Sequence, residues 1–154
     1  TLQQSSAASD VYKRQLFNTE AQFALPETQG RWLEVANSDQ VERVITSVRE
    51  TLPSGGTSLY NAFEFLNELD SKPDNIFIIT DGLPTQGRDT PRKNTVSGPA
   101  RLKHYRDAID KLPANVPVNV VLSPMEGDPM AASEFWKLAQ NTGGSFMAPA
   151  EDWP

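Results

Sequence analysis

The stretch Ile76-Phe77-Ile78-Ile79 constrains this chain more than any other feature. It is four consecutive apolar residues, β-branched or aromatic, closing on Thr80-Asp81-Gly82. An alternating pattern would predict a strand with one wet face. An unbroken run predicts a strand covered on both faces, as the inner strands of parallel sheets are. Parallel strands need crossover connections, and helical patterns flank the run. Asp39–Leu52 places Val41, Val44, Ile45, Val48 and Leu52 at helical spacing; Ser58–Leu69 does so with Leu59, Ala62, Phe63, Leu66 and Leu69; Arg101–Leu112 does so with Leu102, Tyr105, Ala108, Ile109 and Leu112. Val118–Leu122 reads as a second strand. Asp128-Pro129 reads as the start of a helix through Phe135, Leu138 and Ala139, with Asp128 as its N-cap. Asn141-Thr142-Gly143-Gly144 closes that helix, and Ser145-Phe146-Met147 reads as a last short strand. Upstream, Leu16–Asn18 and Gln22–Leu25 read as two short strands around a tight turn. Strand and helix alternating from about residue 38 onward predict a doubly wound α/β domain with a mostly parallel sheet.

Composition narrows the chemistry. The 154 residues suffice for one domain, and 14 Lys and Arg against 20 Asp and Glu leave a net charge of -6, which disfavours nucleic acid as a partner. There is no cysteine, so disulfides, thiolate metal sites and a thiol nucleophile are excluded, and the single histidine, His104, excludes a poly-His metal centre. The apolar runs fall far short of the roughly 20 residues a membrane-spanning helix requires, so no membrane contact is expected of this chain.

In open α/β sheets, ligands bind beyond the carboxyl ends of the strands. The features expected there are the turn Pro53-Ser54-Gly55-Gly56-Thr57-Ser58, Asp81 at the end of the apolar run, and Met125-Glu126-Gly127-Asp128. Each has a plain structural alternative. Thr57 suits a helix N-cap, Asp81 a turn before Gly82, and Asp128 a cap. The glycine-rich turn also resembles a phosphate cradle, but it lacks a lysine and follows a helical segment rather than a strand. A phosphoryl-accepting Asp81 would need a second Asp where Leu83 stands. The stretch holding Arg88, Arg92, Lys93, Arg101, Lys103 and Arg106 is locally basic, either a solvated face or a rim that attracts an acidic partner. Thr85–Pro99 is a polar loop long enough to carry function.

Ser54-Gly55-Gly56-Thr57-Ser58-Leu59-Tyr60-Asn61-Ala62 followed by Ile76-Phe77-Ile78-Ile79-Thr80-Asp81-Gly82 resembles a von Willebrand factor type A domain, from about Leu16 onward. The Gly-Asp-Pro stretch and Trp136 through Phe146 resemble a bacterial branch of that family. The resemblance implies a metal-ion-dependent adhesion site that captures a carboxylate of a protein partner through Mg²⁺ or Mn²⁺ and catalyses no reaction. By that resemblance Thr57 supplies a hydroxyl ligand and Asp81 a carboxylate, with Arg88, Arg92, Lys93 and Glu126 as the partner-binding rim. The family's Asp-x-Ser-x-Ser motif, which supplies three further ligands from a first strand, occurs nowhere in the chain. Residues 1–15 show neither an apolar strand nor an amphipathic helix and read as a non-native or disordered segment, leaving 16–154 as a partial domain incomplete at its N-terminus. The resemblance also implies that a membrane anchor can lie upstream of the domain in a longer parent protein. Two alternatives stand beside the adhesion reading: an α/β enzyme domain binding a phosphorylated ligand, and a structural module of the same family without an active metal site.

Overall fold

The computed structural model describes residues 11–28, 31–52, 54–90, 95–123 and 127–149. Its elements in chain order are β1 (Val11–Tyr12), β2 (Gln15–Phe17), β3 (Ala21–Phe23), β4 (Leu33–Glu34), α1 (Ser38–Glu50), α2 (Leu59–Asn67), β5 (Ile76–Thr80), α3 (Gly98–Ile109), β6 (Val118–Leu122), α4 (Ala131–Thr142) and β7 (Phe146–Met147). The protein is mixed α/β. Its main sheet is parallel, ordered β5-β6-β7, with Ile76 paired to Val118 and Val120 to Phe146. Two antiparallel pairs, β1 with β4 and β2 with β3, precede it. Residues 11–15, set apart from the domain by their sequence, carry β1 and the first residue of β2. Lys13 lies over the Trp32 ring, 4.6 Å from its centroid, beside the β1–β4 pair.

Local chemistry places most helix ends. Asn37 caps α1 by accepting the Gln40 N–H, and Ser58 caps α2 by accepting the Asn61 N–H. Pro99 sits in the first turn of α3, where its missing N–H costs nothing, so α3 begins one turn before the expected Arg101. Gly143 ends α4 in the left-handed region at φ 75°, and the Gly144 N–H reaches back to the Ala139 carbonyl at 2.8 Å.

The larger core lies on one face of the sheet. Leu59 and Phe63 of α2, Tyr105 and Ala108 of α3, and Ala131, Phe135 and Leu138 of α4 pack with Ile76, Ile78, Val118, Val120 and Leu122. Phe135 is wholly buried and meets Tyr105 edge to face, with ring centroids 5.3 Å apart. Burial of a side chain that size contributes on the order of 2–3 kcal/mol. A second, smaller core joins Val44 of α1 to Ala24, Leu25 and Leu33, with Tyr12, Leu16 and Val48 around it.

This arrangement corrects the expectation of burial on both faces of the apolar run. β5 alternates between buried and exposed: Phe77 is 73% exposed and Ile79 55%. The residues of α2, α3 and α4 in the core all meet the even-numbered side chains of β5 and β6. The odd-numbered ones face away from them, because successive side chains of a strand point to opposite sides. Among the described residues β5 pairs with β6 alone.

Candidate functional site

The carboxyl end of β5 runs into a tightly held loop. Thr80 Oγ1 donates to the Gly82 carbonyl at 3.1 Å, and Leu83, Pro84, Gln86 and Gly87 are buried. The glycine-rich turn before α2 docks on this loop through its backbone. The Thr57 N–H donates to Thr85 Oγ1 at 2.8 Å, and the Thr57 carbonyl accepts the N–H groups of Thr85 and Gln86 at 3.0 and 3.1 Å. Gly56 is required by this close approach, because a Cβ there would lie 2.9 Å from Thr85 Oγ1 and 3.0 Å from the Gln86 carboxamide. Ser58 is fully buried and ties the same two segments, its hydroxyl donating to the Gly87 carbonyl at 2.7 Å. Asn61 Nδ2 joins them to the β2–β3 turn by donating to the carbonyls of Thr19 and Arg88.

Thr57 is half-buried beside Thr85, and the helix cap that was its structural alternative is supplied by Ser58. Asp81, the first residue after β5, is exposed, and no hydrogen bond or ion pair engages its carboxylate among the described residues. Arg88 has an exposed side chain at the end of the buried loop. Arg92, Lys93 and Glu126 lie outside the described residues.

Two expectations are corrected here. Asp128 is not the N-cap of α4: the cap position is Met130, without a side-chain bond. The Asp128 carboxylate turns inward instead, accepting the Leu83 N–H at 2.7 Å and pairing with Arg101 at 2.9 Å. Arg101, in turn, is no part of an exposed basic rim. Its side chain is 12% exposed, that of Asp128 2%, and its Nε donates to the Leu83 carbonyl at 3.1 Å. Both backbone groups of Leu83 are thus held by one buried ion pair. The pattern of one sequence could not show it, because the partners stand on different elements and nothing local distinguishes this aspartate from a cap. Ser58 and Asn61 were closer to legible, as a Ser three residues before a polar side chain at the start of an apolar helix.

Lys103 pairs with Asp107 along α3 and faces solvent. His104 packs against Gly87, where a Cβ would lie 3.0 Å from Nδ1. Partial burial, aided by Lys103 and opposed by Asp107, lowers the imidazole below its ordinary pKa.

The oxygens of Thr57 and Asp81 suit a hard divalent cation in kind, but two donors leave most of an octahedral shell to water. Among the described residues, no group of three or more His, Asp or Glu side chains could hold a metal ion, and no helix is long and apolar enough to cross a membrane.

The fold therefore defines a mixed α/β protein with its polar loops gathered at the carboxyl end of β5. No family model matches the chain, and no curated protein or solved structure matches it.

Proposed function

We propose that this chain is a module of the von Willebrand factor type A kind, doubly wound in its complete form, that binds a protein partner through a divalent metal and performs no catalysis. Thr57 and Asp81 are the side chains that would hold Mg²⁺ or Mn²⁺, and the ion would supply an electrophilic centre for an acidic side chain of the partner. Arg88, with Arg92, Lys93 and Glu126, would form the rim. The observation that carries the reading is the docking of the Thr57 turn on the loop that follows Asp81, through three hydrogen bonds of 2.8 to 3.1 Å. That contact fixes a hydroxyl-bearing turn at the strand end where an uncommitted carboxylate stands. The ligand set is short, so metal affinity in this chain is expected to be weak.

The test is thermal unfolding with and without Mg²⁺ or Mn²⁺. A ligand of the folded state alone adds about 2.7 kcal/mol at a concentration 100 times its Kd. A rise in melting temperature that Asp81→Ala and Thr57→Ala each remove supports the assignment. A folded protein whose transition is indifferent to millimolar metal overturns it for this chain.

A further inference from the structure

Asp81 is held by its backbone alone. Its carboxylate is exposed and unpaired among the described residues, so its direction is set by the backbone of residues 80 to 83. That stretch is pinned on both sides of Asp81. On the strand side, the Thr80 carbonyl accepts the Ser123 N–H at 2.8 Å, which ties it to the end of β6. Thr80 Oγ1 reaches past Asp81 to donate to the Gly82 carbonyl at 3.1 Å. On the loop side, the Asp128 carboxylate accepts the Leu83 N–H at 2.7 Å. Arg101 donates to the Leu83 carbonyl through Nε, at 3.1 Å, and through Nη2. Gly82 packs against the same pair: a Cβ there would lie 2.7 Å from Asp128 Oδ2 and 3.0 Å from Arg101 Nη2.

A buried ion pair is a poor way merely to fill a core. Apolar side chains of similar size often stabilise a fold as well or better, because desolvation offsets much of the attraction between two charges. What the pair supplies that apolar groups cannot is a directed, charge-assisted grip on one N–H and one C=O two residues from Asp81. As a unit it is also neutral. Asp128 cancels the guanidinium at 2.9 Å, so the backbone following Asp81 is held without a net positive charge that would repel a cation. We propose that Arg101 and Asp128 are positioning residues of the Asp81 site, a role that rests on the metal site proposed above. Acting through the Leu83 backbone, they hold the Asp81 carboxylate in the orientation that receives a divalent cation.

The test separates grip from stability. Mn²⁺ is titrated, with electron paramagnetic resonance reading the free ion, into four proteins at temperatures where circular dichroism shows each folded. They are the wild-type chain, Asp81→Ala, Arg101→Met with Asp128→Leu, and Gly82→Ala. The double variant keeps the net charge and fills the space with apolar side chains, but offers Leu83 no hydrogen bond. Gly82→Ala keeps every charged group and wedges the pair off the backbone; it decides the matter if the double variant does not fold. Wild type is expected to bind Mn²⁺ and Asp81→Ala to lose it. In urea the double variant should recover much of what Asp128→Ala loses. It should nevertheless bind Mn²⁺ about tenfold or more weakly than wild type, the usual effect of removing the groups that orient a metal ligand. Gly82→Ala should weaken binding in the same direction. A merely structural pair predicts the other pattern, with affinity returning alongside stability. Wild-type Mn²⁺ affinity in the folded double variant, or failing that in Gly82→Ala, overturns the proposal and leaves the metal site standing. No Mn²⁺ binding by the folded wild type, or binding that Asp81→Ala retains, overturns the metal site and the proposal with it.

Discussion

Asp128 carries more of the structure than its place at a helix start suggests. Its carboxylate, 2% exposed, neutralises a guanidinium that is itself 12% exposed, and the two grip both backbone groups of Leu83 from α3 and from the turn before α4. Removing one partner of a buried pair strands the other charge, which costs about 3–5 kcal/mol. Asp128→Ala is expected to lose that much in urea unfolding, a large share of the stability of a domain this size. Replacing both partners, with Arg101→Met and Asp128→Leu, should recover a substantial part of the loss. If the single variant unfolds like wild type, the clasp contributes nothing. Such a pair is invisible along the chain because Asp128 satisfies every local criterion for an N-cap. The competing Leu83 N–H and Arg101 exist only once the sheet has brought three segments together.

At the scale of elements, structure is most legible in the sequence where the chemistry is local. The turn between β2 and β3, the spans of α1 and α2, the strand β6 and the Gly143 stop follow from periodicity, caps and turn residues within a few positions of one another. Ser58 shows how a local device becomes a tertiary one, since its hydroxyl accepts the Asn61 N–H at 3.1 Å and donates to the Gly87 carbonyl at 2.7 Å. Ser58→Ala should therefore cost more than the ~1 kcal/mol of an ordinary cap; a further ~1 kcal/mol is expected for the buried carbonyl it orphans. Ser58→Thr, if its methyl is accommodated, should retain part of both. A loss confined to about 1 kcal/mol in chemical denaturation would show that the Gly87 contact is idle. The helical stripe of α1 illustrates the opposite case. Val44 is buried, but Ile45 is 44% exposed, because α1 packs on the small antiparallel elements and not on the main sheet.

For the whole molecule, the pH dependence of stability carries a signature of the loop after β5. His104 is lowered by partial burial and by Lys103, so between the ordinary imidazole pKa and its folded value the unfolded chain binds more protons. Stability should be complete above the ordinary value, near pH 6.5, and fall as the pH drops through it toward the folded value. His104→Gln should flatten that part of the curve while leaving the acid limb below it, where carboxylates titrate. Melting temperatures at pH 7.5 and 5.5 for both proteins decide the matter: equal slopes would exclude His104 as the cause.

The sequence by itself determined the α/β class, the order of most elements and the position of the polar loops at the carboxyl end of β5. These follow from side-chain periodicity, from capping and turn residues, and from the rule that a buried apolar run needs cover. Only the tertiary structure decided that the cover is one-sided, that Asp128 and Arg101 face inward as a pair, and that Ser58 rather than Thr57 caps α2. The reason is common to all three. Periodicity states which side chains seek burial or partners, but a contact between distant segments is chosen by competition among every group that packing brings within reach.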